Sequence, residues 1–150
     1  MSQEKPIYEE NQEAYDILQK IAENNPEVFG TIDLSTIGVC IITNKDRPEA
    51  TANAGKRLKM YGVKDGAQLW SKKKYIVEIY RDVWDSSNIA MKSNIMVEVL
   101  YSIPPETQDG ATLKEDLIDR TIMIKNFGLG YKDNPSVPDL TVEKGILKSY

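Results

Sequence analysis

A single glutamate interrupts the apolar run Ile95-Met96-Val97-Glu98-Val99-Leu100-Tyr101. A carboxylate in such a setting can act as a general base, pair with a cation or help to ligate a metal. Val97 and Tyr101 stand at i and i+4 around it. That is the spacing of H-E-x-x-H, in which two imidazoles hold zinc from one helix face and the glutamate activates the metal-bound water. Here neither position holds an imidazole. The 150-residue chain contains no histidine at all and one cysteine, Cys40. The commonest metal ligand, the commonest general base and every Ser-His or Cys-His pair are therefore ruled out. Any catalysis would have to run on carboxylates, Lys, Tyr or Ser.

Two further carboxylates, Glu115 and Asp119, lie one helical turn apart. Together with Glu98 they would suit Mg²⁺, Ca²⁺ or Mn²⁺, which prefer oxygen ligands, provided that their two helices face each other. Each also has a simpler reading. Glu115 closes a capping box with Thr112. Asp119 pairs with a neighbouring base or faces water. Glu98 is expected to be a partly exposed helix carboxylate, paired with a lysine or kept by ancestry. No catalytic site, metal or cofactor is expected on this reading.

The elements that must position these residues follow from periodicity. Ala14, Ile17, Leu18, Ile21 and Ala22 recur at helical spacing between about Glu10 and Asn24, where Asn25-Pro26 ends the helix. Ile37 to Thr43, "IGVCIIT", is a β-branched run expected inside a sheet, with Cys40 as a small buried hydrophobe. "KRLKMYG" reads as an edge strand or a short helix, and "VKDGAQ" as a turn. Tyr75 to Arg81, "YIVEIYR", predicts a strand. "DSSN" offers N-caps for a helix from about Ser87 to Ser102, stopped by Pro104-Pro105. On that helix Ile89, Met96, Val99, Leu100 and Ile103 form the apolar stripe, with Val97, Glu98 and Tyr101 outside it. The helix opened by Thr112 runs to about Phe127, with Gly128 as its left-handed stop and Leu129 as the accompanying hydrophobic contact. "TVEKGILKSY" is expected to form a short strand or an arm. The architecture predicted is α+β, a small mixed or antiparallel sheet packed against about three helices. Residues 1–10 are expected to be loosely held, 11–130 to form one domain, and 131–150 a tail or arm.

Composition bounds the function classes. Hydrophobic residues make up 41% and charged residues 28%, ordinary for a globular chain large enough to build a core unaided. A net charge of −4 argues against non-specific nucleic-acid binding, and Lys72-Lys73-Lys74 reads as a solvated strand entry. A lone cysteine gives no disulfide framework. The sequence shows neither a signal peptide nor an apolar run long enough for a membrane span, so a reducing compartment is expected.

The stretches "YIVEIYRDVW", the helix through "VEVLY", "KEDLIDRTIMIKNFGLGY" and "PDL" together resemble the putative metallopeptidase domain widespread in bacteriophage genomes. The opening helix and "IGVCIIT" fall where that family's first helix and strand would lie, and Ala50 to Trp70 matches poorly. The resemblance implies a metallopeptidase-like scaffold whose motif histidines are replaced by Val97 and Tyr101, with only Glu98 kept. It implies a phage-encoded, catalytically inactive protein in the virion or the host cytoplasm. Its partner would be a phage structural protein, a host protein or a second copy of itself, rather than nucleic acid or membrane. The alternatives are a metal-dependent hydrolase with an oxygen-rich site and an acidic inhibitor of a host defence protein.

Overall fold

The computed structural model describes residues 5–43, 57–104, 110 and 121–149. It begins with strand β1 (Ile7–Glu10) and helix α1 (Gln12–Asn24). Asn11 caps that helix by accepting a hydrogen bond from the Ala14 amide at 2.8 Å. Pro26, whose missing N–H costs nothing in a first turn, opens the short α2 (Pro26–Phe29). Strand β2 (Ile37–Thr43) has the bounds that its β-branched run predicts. Then come edge strand β3 (Leu58–Gly62), α3 (Asp65–Ser71) and β4 (Tyr75–Tyr80). The sequence from Arg81 enters α4 (Arg81–Ser86) at once. Asn88 caps the long α5 (Ile89–Tyr101), and α6 (Thr121–Phe127) stops at Gly128, whose φ is 85°.

The strands lie in the order β1-β2-β4-β3. β2 and β4 are parallel, whereas β1 and β3 run antiparallel to their neighbours. The fold is thus α+β with a mixed four-stranded sheet. Alternation along the strands sends Ile37, Val39 and Ile41 of β2 and Tyr75, Val77 and Ile79 of β4 into one core. α1 packs against α5 and adds Ala14, Ile17, Leu18 and Ile21 to it. At the far edge, a Cβ on Gly62 would sit 1.9 Å from the Gly110 carbonyl oxygen, so only glycine permits that approach.

Several expectations are corrected here. Residues 7–10 are not loose, because β1 pairs with Cys40–Thr43 of β2. Asp65 to Gln68 of "VKDGAQ" are helical rather than a turn, the good helix formers Ala67, Gln68 and Leu69 outweighing Gly66, and the helix ends at Lys72 in the left-handed region (φ 59°). Leu129 makes no helix-stop contact and is 83% exposed. Residues 131–149 form neither a strand nor an arm but a wrapped segment belonging to the body. Tyr131, Val137, Leu140 and Leu147 are buried in the core, and the Asn24 amide donates to the carbonyls of Leu140 and Thr141 at 3.1 and 3.2 Å. The capping box at Thr112 lies outside the described residues.

Candidate functional site

Four polar side chains meet inside the molecule around the carboxylate that the sequence singles out. Asn94 and Glu98 project from one side of α5, a turn apart. Arg57 immediately precedes β3, and its carbonyl accepts from the Tyr80 amide at 3.3 Å, which ties it to the end of the sheet. Tyr131 opens a short 3₁₀ turn after Gly130, a residue with φ of 75°. Glu98 Oε1 accepts from the Tyr131 hydroxyl at 3.0 Å and lies 3.4 Å from Arg57 Nη2. Arg57 Nη1 donates to Asn94 Oδ1 at 3.0 Å, and the guanidinium stands 5.2 Å from the Tyr131 ring centroid. Arg57 is 4% and Glu98 5% exposed.

Glu98 is therefore not the partly exposed carboxylate that the helical wheel suggests. Every residue from Ser93 to Tyr101 is buried, because α5 is covered on more sides than an amphipathic surface helix. Its partner is an arginine brought from just before β3 rather than a lysine. Arginine suits this place, since its planar guanidinium stays charged when buried and can stack on a ring. Satisfaction is incomplete, however: Arg57 Nε and Nη2 and Asn94 Nδ2 are buried without a hydrogen-bond partner. The Arg57 Nη2–Glu98 approach is an ion pair without hydrogen-bond alignment.

Val97, Glu98 and Tyr101, which share the i, i+1, i+4 spacing, go to different partners. Val97 is fully buried in the core. Tyr101 donates its hydroxyl proton to the Lys148 carbonyl, accepts from Asn126 Nδ2 at 3.1 Å and packs edge-on against Phe29 at 5.0 Å. Glu98 alone faces Arg57. Glu115 and Asp119 lie outside the described residues. Among the described residues, no three His, Cys, Asp or Glu side chains gather as a metal site would require.

As chemistry, this cluster is a neutralised carboxylate. Glu98 Oε1 accepts one hydrogen bond and faces a fixed positive charge. Its neighbours Arg57, Asn94 and Tyr131 carry no sequence signal of their own, save that Asn94 and Glu98 are polar residues at i and i+4 in an apolar helix.

A second polar group sits on the opposite face of the sheet. Cys40 is half-buried rather than a core residue and borders a groove of about 420 Å³ with Glu10, Tyr15 and Lys73. Its thiol is pushed up to about 11 by burial and then by the charge of Glu78. Tyr61 donates to Glu78 at 3.1 Å and is likewise raised to about 12, by burial first and Glu78 second. Both groups hold their protons in the folded protein at a pH where the unfolded chain releases them. Stability present below the ordinary thiol value of 9.0 is accordingly lost as the pH climbs through about 11. Iodoacetamide at pH 8 is expected to alkylate Cys40 at least tenfold more slowly in native than in urea-unfolded protein, because the thiolate is the nucleophile. Equal rates in the two states would refute this assignment.

Among the described residues no helix is long and apolar enough to cross a membrane. Compared with family models, curated proteins and solved structures, the chain matches none.

Proposed function

We propose that this protein is a non-catalytic protein-binding module on a metallopeptidase-like scaffold, of the kind a phage would carry in its particle or direct at a host protein. The observation that supports this reading is the state of Glu98. In a metal-dependent hydrolase the corresponding carboxylate must face a metal-bound water and take its proton. Here the side chain facing it is the guanidinium of Arg57, 3.4 Å away, and Tyr131 donates to the same oxygen. Val97 and Tyr101 supply no imidazole beside it. A fold hosts function through its sites, so a scaffold in this state is free for binding work.

The test is metal retention by untagged protein incubated with Zn²⁺, Mn²⁺, Mg²⁺ or Ca²⁺, desalted and weighed by native mass spectrometry. The expected result is bare protein in every case, with a melting temperature unchanged by chelator and no hydrolysis of casein. One metal per chain, lost in a Glu98→Gln variant that still melts cooperatively, would overturn the proposal in favour of an enzyme.

A further inference from the structure

Charge is unevenly spread along this acidic chain. Residues 57–74 carry Arg57, Lys59, Lys64, Lys72, Lys73 and Lys74 against one acid, Asp65, while the whole chain is −4. Arg57 is spent internally on Glu98, but Lys59, Lys64 and Lys72 are exposed. The same stretch holds the two most prominent apolar side chains of α3, Leu69 at 74% and Trp70 at 87% exposure. Helix α3 buries none of its residues. It is held to the end of β3 by Gln68 Nε2, which donates to the Val63 carbonyl at 2.7 Å. β3 is the last strand of the sheet order, and its Tyr61 is also exposed, with the Lys59 ammonium 5.6 Å from the ring centroid. Leu69 and Trp70 thus do no packing work for the fold, although leaving such side chains in water forgoes the burial that stabilises a core.

We propose that α3 forms a docking surface for an acidic protein segment bearing apolar anchor residues. Trp70 and Leu69 supply the central contact, and Lys64 and Lys72, at the two ends of α3, the basic rim. Tryptophan is the residue type most often found to dominate such contacts, and a charged rim steers an opposite partner and rejects a like one. Charge complementarity selects the acidic class. Leu69 beside Trp70 favours a protein over single-stranded nucleic acid, which would use the aromatic as a stacking platform and leave the leucine idle. Two apolar side chains on a seven-residue helix are too little for stable insertion into a lipid surface. This inference rests on the protein-binding reading above and names the class of partner.

The protein carries its own reporter. Trp84 is buried and donates to Glu13 at 3.0 Å, so the long-wavelength part of the tryptophan emission belongs to Trp70. The full chain would be titrated with a synthetic peptide of Glu, Leu and Phe, with the same peptide carrying Lys for Glu, with oligo-dT and with phosphatidylglycerol vesicles. The expected result is a saturable blue shift with the acidic peptide alone, weakened by salt. By calorimetry, Trp70→Ala should lose roughly tenfold or more in affinity with its melting temperature unchanged. The Lys64→Glu/Lys72→Glu variant should lose a comparable factor. Equal binding of the basic peptide, undiminished binding by Trp70→Ala, or no shift with any probe would overturn the proposal. A shift with oligo-dT or vesicles and none with the acidic peptide would overturn it too, reassigning the surface. Such failures leave the metal assay untouched, and metal retention at Glu98 would leave the peptide result untouched.

Discussion

Glu98→Ala is expected to lower the stability of this protein by about 3–5 kcal/mol, because it strands a buried guanidinium without a counter-charge. Arg57 is 4% exposed, and its Nε and Nη2 already lack hydrogen-bond partners, so no solvent stands ready to replace the carboxylate. The Tyr131 hydroxyl loses its acceptor in the same step. Arg57→Ala should cost a similar amount by leaving the carboxylate unpaired. The double variant Arg57→Met/Glu98→Leu separates the two meanings of a buried pair. Removing both charges and filling the space with apolar groups is often neutral or stabilising, so the double variant should recover most of what either single one loses. Urea unfolding of the four proteins measures all of this. A loss of under about 1 kcal/mol in both single variants would mean that the pair behaves like a solvent-exposed one, contrary to its burial. A double variant no better than the singles would show that packing around the pair, not charge, governs the site.

The second large effect concerns the wrapped C-terminal segment. Leu140 is fully buried, its amide donates to Ser93 Oγ at 3.1 Å and its carbonyl accepts from Asn24. Leu140→Ala should cost about 2–5 kcal/mol, the transfer free energy of the lost methyls plus the cavity they leave. Leu129→Ala, on a side chain 83% exposed, should stay within about 0.5 kcal/mol. Ending the chain ahead of Val137 removes Val137, Leu140 and Leu147 from the core together and strips the acceptor from the Tyr101 hydroxyl. That protein is expected to lose its cooperative thermal transition. If it instead melted within a few degrees of the full chain, residues 137–149 would be an appendage after all and their burial without energetic weight.

The two effects share a cause. α5 is the centre of the molecule, with α1 on one side and the Tyr131–Leu140 region on another. The polar side chains on this helix are tolerated because each has a distant partner: Asn94 and Glu98 find Arg57, and Ser93 finds Leu140. Buried polar groups keep their place only where such partners exist, and the three atoms without one mark where this cluster is least settled.

What the sequence by itself determined is the set of locally encoded features. The bounds of β2, the N-cap Asn88, the stop at Gly128 and the strand at Tyr75 rest on periodicity, β-branching and capping, which act over a few residues. The lack of any histidine likewise needed no structure to remove imidazole chemistry. The environment of Glu98 was decided by the tertiary structure alone. A helical wheel reports where a side chain points around its own axis, not what the rest of the chain lays against it. Arg57, 37 residues before Asn94, and Tyr131, 33 after Glu98, reach this carboxylate only once the sheet edge and the C-terminal segment close around α5. The same closure buried Leu140 and left Trp70 outside, because desolvation and packing depend on which surfaces meet, and no local pattern records that.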